Sequence, residues 1–222
     1  MIRRFIYSFS NGEYLHLGGI IRAFVMCLRG SPMSIRTRGI ILLGSHSSIL
    51  NPSNLEHSGF LKIENNCIIQ CHSNRPIKLG REVSFGAFSQ LRPSSLYGGK
   101  LGSGCTIGSG TTFGPYTYIG CAGDISIGSD SMFGPRVTII AEEHNIPNAP
   151  LPIKNSGVSN AGIKIGSDCW VGANVCILDG SNVGDGCVIA AGAVVKGDFP
   201  SFCIIGGVPA KILRYRNESV ND

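Results

Sequence analysis

The fold is decided by the stretch from Leu101 to Gly134, LGSGCTIGSGTTFGPYTYIGCAGDISIGSDSMFG, in which a large apolar residue followed by a small one returns about every six positions. An amphipathic helix would return apolar residues every three or four positions, and a half-exposed strand every two. A period of six predicts short strands separated by tight corners, with one side chain of each strand pointing into a narrow core. The apolar positions of this series are Leu101, Ile107, Phe113 and Ile119 and, after a two-residue slip, Ile127, Phe133 and Ile139.

The same period extends to both sides of this stretch. It is first legible at Leu79, Phe85 and Leu91, and it returns after an interruption at Ile165, Val171, Ile177, Val183, Ile189 and Val195. Three six-residue sides make one triangular coil, and such coils stack through parallel backbone hydrogen bonds about 4.8 Å apart. The pattern therefore predicts a mainly β protein of stacked coils. It also explains why 31 of the 222 residues are glycine, because a residue without a Cβ fits a tight corner.

Three motifs accompany the repeat: IGSDCWVGAN from Ile165 to Asn174, AAGAVVK from Ala190 to Lys196, and GGVPAK from Gly206 to Lys211. Together with the period of six, they resemble the hexapeptide-repeat acyltransferases, and in particular the sugar O-acetyltransferases of bacterial surface polysaccharides. The resemblance covers about residues 79 to 215. It implies a left-handed parallel β-helix, acetyl-CoA as co-substrate, and a homotrimer with active sites between subunits.

Charge and periodicity divide the chain into three parts. Residues 1–40 carry six arginines and one glutamate, a net charge of +5 that equals the net charge of the whole chain, and form a predicted basic helical segment. Residues 41–205 form the predicted β-helix domain, with irregular early coils and a long loop inserted at about 141–162. Residues 206–222 form a C-terminal tail. Because the basic excess is local, a nucleic-acid partner is not expected.

The N-terminal segment has two interpretations. Its apolar residues recur at spacings of three and four, which is typical of an amphipathic helix, but the run is too short to span a bilayer. Such a helix could cap the open end of the β-helix, which would otherwise expose strand edges. Residues 1–30 could instead make peripheral contact with an anionic membrane surface. The apolar residues of this run are Leu17, Ile20, Ile21, Phe24, Val25 and Leu28.

Nine cysteines are scattered along the chain, and their odd number without paired spacing argues against a disulfide framework. Reduced thiols are typical of the cytoplasm, so a cytoplasmic location is expected, with peripheral contact at the inner membrane face as a further possibility. Cys67, Cys71 and His72 form the one cluster with ligand chemistry. Without a second cluster, no metal is expected.

His144 is the candidate catalytic residue, because it is the single histidine of the legible repeat and lies at the root of the predicted loop. In the family that the sequence resembles, a histidine would act as the general base for acyl transfer from a thioester to a hydroxyl. Glu142 or Glu143 could orient the imidazole, and alternation along an extended segment lets at most one of them face it. The family often has aspartate before this histidine, and many members have a second histidine where this chain has Ile146.

The resemblance also implies which residues bind the two substrates. Coenzyme A would lie between the C-terminal coils of neighbouring subunits, with its pantetheine arm along small residues and its phosphates on basic ones: Gly172, Ala173, Ala190, Ala191, Lys196, Lys211 and Arg214. The single tryptophan, Trp170, has a corner position and is expected to point outward. Trp170 and Asn145 are the candidate contacts for the acceptor.

These residues lead to a prediction with two alternatives. The prediction is an acetyl-CoA-dependent O-acetyltransferase that acts on a sugar hydroxyl in bacterial surface polysaccharide biosynthesis, with His144 as general base. An N-acyltransferase acting on an amino sugar nucleotide is the first alternative, since neither the chemistry nor the repeat distinguishes a hydroxyl from an amine. A non-catalytic β-helix scaffold is the second, and an exposed His144 without a partner would favour it.

Overall fold

The computed structural model describes residues 36–93, 101–146 and 152–216, without the side chains of residues 36–38. Over these residues the chain winds into a parallel β-helix, in which a strand pairs in parallel with strands of the coil before and the coil after. This confirms the mainly β fold that the period of six predicts. The helix predicted for the N-terminal segment lies outside the described residues up to residue 35, whereas residues 36–40 of that segment lie in a strand.

The coil strands lie on three faces, which we number in the order in which the chain visits them. Face 1 holds the start of β3 (Leu55–Ile63), β5 (Ile77–Leu79), β8 (Cys105–Ile107), β11 (Ile125–Ile127), β16 (Ile163–Ile165), β19 (Asn182–Val183) and β22 (Asp198–Phe199). Face 2 holds the end of β3, β6 (Val83–Phe85), β9 (Thr112–Phe113), β12 (Met132–Phe133), β17 (Trp170–Val171), β20 (Val188–Ile189) and β23 (Cys203–Gly207). Face 3 holds β2 (Ser48–Leu50), β4 (Ile68–Gln70), β7 (Gln90–Arg92), β10 (Tyr118–Gly120), β13 (Thr138–Ile140), β18 (Cys176–Leu178) and β21 (Val194–Val195).

The register places the period-six residues in columns inside the coil. On face 3, Ile119 lies opposite Leu91 on one side and Ile139 on the other, and Ile139 lies opposite Ile177. These four side chains have no exposed surface. On face 2, the rings of three phenylalanines stack with centroid distances of 5.1 Å and 4.7 Å: Phe85, Phe113 and Phe133. The apolar residue of each repeat therefore fills the core, as the period predicts.

The chain turns from face 2 to face 3 at a corner of small residues and left-handed backbone conformations. Backbone hydrogen bonds join this corner from coil to coil, as from the Asn174 N–H to the Pro135 carbonyl at 3.0 Å. Asn174 has a φ of 58°, a conformation that asparagine tolerates better than most residues. Earlier along the same corner, the exposed rings of Phe88 and Tyr116 stack at 5.0 Å.

Two ends of the domain differ from the sequence-based expectations. The early coils are regular, since β1 (Arg36–Leu43) pairs with β3 over its whole length and β3 pairs in register with β5 and β6. At the other end, β24 (Ala210–Tyr215) pairs antiparallel with β23, so most of the segment 206–216, which belongs to the predicted C-terminal tail, is a strand pair. The predicted boundaries at residues 41 and 206 thus fall inside strands.

Leu101 is wrong as a core position. Its side chain is 52% exposed, unlike the other apolar residues of its series. The neighbouring Gly102 forms an isolated bridge with Ser73, and the coil strand of face 1 begins only at Cys105. Leu101 therefore lies on the corner between faces 3 and 1, outside the columns of the core.

Candidate active site

The segment that carries His144 leaves the β-helix at the corner between faces 3 and 1. β13 ends at Ile140, and the next coil strand, β16, begins at Ile163. Between them, β14 (Glu143–His144) pairs antiparallel with β15 (Val158–Ser159), and a short 3-10 turn covers Ile153–Asn155. The segment was predicted as a long loop, and its described residues instead include a two-stranded ladder, which we call the loop ladder. His144 lies in this ladder, opposite Val158.

The return of the segment to the coil is held by a buried carboxylate that the sequence analysis missed. Asp179 is 5% exposed. Its Oδ2 accepts a hydrogen bond from the Ala161 N–H and its Oδ1 accepts one from the Gly162 N–H, both at 2.8 Å. Gly162 has a φ of +90°, and a Cβ added there would lie 2.7 Å from the carbonyl oxygen of Asp124. Both features explain why glycine stands at the point where the chain re-enters the coil.

The His144 side chain is exposed. No hydrogen bond or ion pair joins its imidazole to another residue in the described part of the chain. Neither predicted orienting residue contacts it: the Glu143 carboxylate accepts a hydrogen bond from the Lys196 ammonium at 2.6 Å, and Glu142 is half-buried. The described residues of one chain therefore give the imidazole no carboxylate partner.

Lys196 was predicted to contact a coenzyme A phosphate. It follows β21 at the corner between faces 3 and 1, two coils beyond the strand from which Glu143 departs. Its ion pair with Glu143 ties the loop ladder to the C-terminal coils. Both side chains are about half exposed, at 49% for Lys196 and 53% for Glu143, so water screens the attraction between them.

Asn145 was predicted to contact the acceptor. Its side-chain amide donates a hydrogen bond to the Ser156 carbonyl at 3.1 Å, and its backbone N–H donates one to the Gly157 carbonyl at 3.1 Å. The Ser156 hydroxyl in turn donates to the Asn145 carbonyl. Asn145 thus links the two limbs of the loop next to the ladder. Ile146, which stands where many members of the resembled family have a second histidine, is 85% exposed.

The other predicted cofactor residues lie away from His144 within one chain. Gly172 and Ala173 follow β17, and Ala190 and Ala191 follow β20, so all four lie on the corner between faces 2 and 3. Backbone hydrogen bonds connect them to the next coil, as from the Gly172 N–H to the Ile189 carbonyl at 2.8 Å. The remaining two, Lys211 and Arg214, are exposed on β24. Face 3 thus separates the corner with His144 and Lys196 from the corner with the small residues.

Trp170 points outward, as expected, and is 56% exposed, but it lies in strand β17 on face 2 and not at a corner. Its neighbour across the ladder, Met132, is 57% exposed. These two side chains form an apolar patch beside the small-residue corner. The patch lies on a different face from the strand that leads to His144, so one chain does not bring Trp170 and His144 together.

The described cysteines fill space in the coil. Seven of the eight that the structure describes are buried, and Cys176 is half-buried. Burial raises the pKa of the Cys71 thiol to about 12, which disfavours the thiolate that a metal site or a nucleophile needs. Among the described residues, no group of three or more histidine, cysteine, aspartate or glutamate side chains is arranged to hold a metal ion. No helix in the same residues is long and apolar enough to cross a membrane.

The chain is similar in sequence to known bacterial transferases. Residues 162–197 match the family model described as bacterial transferase hexapeptide (six repeats). A probable acetyltransferase of Mycobacterium tuberculosis is 32% identical over 143 residues, which are 64% of this chain and 45% of that protein. WbbJ of Escherichia coli, provisionally named as a lipopolysaccharide biosynthesis O-acetyl transferase, is 32% identical over 111 residues, 46% of this chain and 56% of that protein. The chain spans about half the length of these two relatives.

A solved structure supports the fold. A mutant of AntD, an N-acyltransferase from Bacillus cereus in complex with dTDP and coenzyme A, superposes with a TM-score of 0.54 over 84% of this chain and 86% of that chain. At 15% sequence identity, this similarity concerns the fold only. The period-six columns, the parallel β-helix, the matching family model and the acetyltransferase relatives agree, and the chain is similar to hexapeptide-repeat acyltransferases.

Proposed function

We propose that the protein is an acetyl-CoA-dependent O-acetyltransferase that transfers an acetyl group to a sugar hydroxyl in the synthesis of a bacterial surface polysaccharide. The observation that carries the proposal is the position of His144, exposed in a two-stranded ladder at the root of the one long excursion between the described coils. The similarity to WbbJ supports a sugar hydroxyl as acceptor. The left-handed winding that the motifs imply is part of the same proposal.

In this proposal His144 is the general base. Its imidazole takes the proton of the acceptor hydroxyl while the hydroxyl oxygen attacks the thioester carbonyl of acetyl-CoA. The tetrahedral intermediate then collapses, the carbon–sulfur bond breaks, and the proton held by His144 goes to the departing sulfur of coenzyme A. The products are the acetyl ester and free coenzyme A. An exposed side chain on a surface ladder is open to a large carbohydrate acceptor.

The site needs a second subunit, because one chain separates its two halves. His144 lies at the corner between faces 3 and 1, and the small residues Gly172 and Ala190 lie at the corner between faces 2 and 3. In the proposed homotrimer, the His144 corner of one subunit faces the small-residue corner of its neighbour. The pantetheine arm then lies along the small residues, and the exposed Lys211 and Arg214 meet the phosphates.

Lys196 has a conditional role in this arrangement. Its ammonium is 2.6 Å from the Glu143 carboxylate, so a phosphate of coenzyme A would have to compete with that carboxylate. The pair is about half exposed on both sides, and such pairs contribute little stability. Replacing the Glu143 carboxylate by a phosphate as the partner of Lys196 therefore costs little free energy. Glu143 would be released when the cofactor binds.

A non-catalytic scaffold is the second candidate function. The exposed imidazole of His144 without a hydrogen-bonded partner in the described residues favours it. An N-acyltransferase is the alternative within the enzyme class, since a base in this position serves an amine acceptor as well as a hydroxyl. A cytoplasmic location, with residues 1–30 as a peripheral membrane contact or a cap, completes the proposal.

One experiment separates these functions. Purified full-length protein is incubated with acetyl-CoA and a panel of matched sugars that carry either free hydroxyls or one free amine, and release of the coenzyme A thiol is followed. The proposal expects release with at least one hydroxyl-only sugar and formation of an acetyl ester. Release only with the amine sugars would establish the N-acyltransferase, and no release above hydrolysis with any acceptor would favour the scaffold. Sedimentation of the same sample tests for the trimer.

A further inference from the structure

We infer that Asp179 is a positioning residue that fixes the ladder carrying His144, an inference that rests on the proposed function of His144. Asp179 belongs to the coil that follows the loop and directly follows β18. Its carboxylate lies at the corner where the loop returns, on the side of the molecule where His144 is exposed. It does not touch His144, so it would act through the backbone of the loop.

The first step of the argument is the environment of the carboxylate. Asp179 is 5% exposed, and no ion pair joins it to a lysine, arginine or histidine of the described residues. A buried carboxylate without a cation is costly unless hydrogen bonds satisfy its oxygens. Here both oxygens are used, and both accept backbone N–H groups of the returning loop at 2.8 Å.

The second step is the connection from Asp179 to His144. The residues held by the carboxylate, Ala161 and Gly162, are separated from β15 by one residue, Asn160. β15 is in turn the partner of β14, with Ser159 opposite Glu143 and Val158 opposite His144. The Gly180 N–H also donates to the Gly162 carbonyl at 2.9 Å. The position of the return point therefore sets the position of β15, and β15 sets that of His144.

The third step compares Asp179 with the other tie between the loop and the coil. The ion pair of Glu143 with Lys196 joins two side chains that are about half exposed. Long exposed side chains hold one geometry poorly, since they lose rotamer freedom for little gain. The Asp179 carboxylate is short, buried and bonded at both oxygens, and charge-assisted bonds of this kind are the stronger ones. Asp179 is therefore the principal anchor.

Asp185 provides a control that also binds backbone through its carboxylate, although it is exposed and makes one such bond where the buried Asp179 makes two. Its Oδ1 accepts a hydrogen bond from the Ser167 N–H at 2.7 Å, so it too binds the backbone of a neighbouring coil. It lies at the corner between faces 1 and 2, on a segment that has no contact with the loop ladder among the pairings described. Changing Asp185 to Asn removes the carboxylate charge, leaves one oxygen that can still accept the Ser167 N–H, and should have no effect on His144.

The test compares wild type, Asp179→Asn and Asp185→Asn. An asparagine keeps the shape of aspartate but has only one side-chain oxygen. Its NH2 group would face one of the two backbone N–H donors, and that hydrogen bond would be lost. A displacement of about 1 Å at a reacting group can cost about 100-fold in rate. We expect Asp179→Asn to lower kcat by about 10-fold to 100-fold, to leave KM for acetyl-CoA within about twofold, and to speed amide hydrogen exchange at residues 143–145 and 158–162. Asp185→Asn should leave kcat and the exchange of those residues unchanged.

Two results would overturn the inference. One is wild-type kcat together with wild-type exchange of the loop ladder in Asp179→Asn. The other is a fall in kcat that, in both variants, simply follows the fall in melting temperature. That result would give Asp179 a structural role only. If Asp179→Asn does not fold, exchange in wild type decides: the amides of Ala161 and Gly162 must be protected, and rapid exchange there rejects the anchor.

The inference and the proposed function fail in different ways. If wild type releases no thiol with any acceptor, the proposed acetyl transfer is rejected. The exchange measurement still reports whether Asp179 holds the loop ladder, because it needs no substrate. If transfer is established but exchange and kcat do not respond to Asp179→Asn, the positioning role is rejected and the proposed function stands.

Discussion

In the coil, Ile139 is fully buried between Ile119 and Ile177, whereas His144, five residues further along the chain, is exposed and has no partner among the described residues. The coil is held by apolar columns and by parallel ladders on three faces. The segment with His144 is held by a two-residue ladder, a buried carboxylate and an exposed ion pair.

With His144 in its proposed role, this difference separates the determinants of stability from those of activity. Segments with few buried apolar contacts open locally at low cost, and functional residues are often found there. Substitutions in the columns should therefore lower the free energy of unfolding, and substitutions in the loop should change activity with little change in melting temperature. The following predictions test this separation, from the largest expected effect on stability to the smallest.

Ile177→Ala should destabilise the protein by about 2 to 5 kcal/mol, because it leaves a cavity between two buried neighbours in a face 3 column. The side chain of Ile177 has no exposed surface. Chemical denaturation measures the change. The adjacent, outward-pointing and half-buried Cys176 serves as control, and Cys176→Ala should cost clearly less. Similar losses in both variants would contradict the assignment of stability to the inward column.

Gly162→Ala should destabilise the return of the loop by about 1 to 3 kcal/mol, a typical cost for a strained backbone position. The added Cβ would meet the Asp124 carbonyl oxygen at 2.7 Å, in addition to the cost of the positive φ. Gly192→Ala is the control, because Gly192 has a φ of +73° but nothing within 4 Å of the added Cβ. Equal losses of unfolding free energy would mean that the contact with Asp124 is relieved at no cost.

His57→Leu should remove a loss of stability at acidic pH. His57 points into the coil opposite Leu79 and is 5% exposed, and neither of its ring nitrogens has a hydrogen-bonded partner among the described residues. Burial lowers the pKa of His57, so below a pH of about 6.5 the unfolded chain binds a proton that the native chain does not. Stability is thus full above that pH and falls as the pH drops toward the lowered pKa of the folded state.

The pH dependence of unfolding measures this effect. The carboxylates titrate in both proteins, so the difference between wild type and His57→Leu isolates the histidine. His72→Leu is the control, because His72 is exposed, and it should follow the wild-type pH dependence. If the free energy of unfolding of His57→Leu fell between pH 6.5 and 5 as steeply as that of wild type, the buried imidazole would not be the cause.

Glu143→Gln should have the smallest effect on stability, at most about 1 kcal/mol, because its ion pair with Lys196 is half exposed. A double-mutant cycle with Lys196→Met measures the coupling, and high salt should reduce it. Glu142→Gln, which alters a glutamate with no ion pair in the described residues, is the control. A coupling well above 1 kcal/mol that persists in high salt would make this pair, and not Asp179, the main anchor of the loop.

The core of the coils is predictable from the sequence because it depends on a repeat. Residues such as Ile119, Ile139 and Ile177 share one register, so a period in the sequence becomes a column in space. Leu101 fails because a six-residue spacing does not reveal whether a position lies in a strand or on a corner. β24 was missed because an antiparallel pairing at the end of a parallel helix leaves no trace in the period.

The candidate site is less predictable, because it depends on bonds between residues that no period relates. His144 is identifiable by its isolation in the repeat and by its place at an interruption. Asp179 accepts hydrogen bonds from the backbone N–H groups of Gly162 and Ala161, which lie 17 and 18 positions earlier in the chain. Any residue except proline could donate such bonds, so the side chains at these positions do not reveal them. A carboxylate two residues after an inward position, in the coil that receives the loop, is the one available hint.

The most direct test of the separation between coil and loop is the turnover of His144→Ala, measured by thiol release from acetyl-CoA with the best hydroxyl acceptor. Loss of a general base typically costs about 10² to 10⁴ in rate, and the exposure of His144 implies an unchanged melting temperature. His72→Ala, a change of another exposed histidine, should retain wild-type turnover. We expect the kcat of His144→Ala to fall by at least about 10²-fold while its melting temperature stays that of wild type. A turnover of His144→Ala equal to that of wild type and of His72→Ala would contradict a catalytic role for the loop.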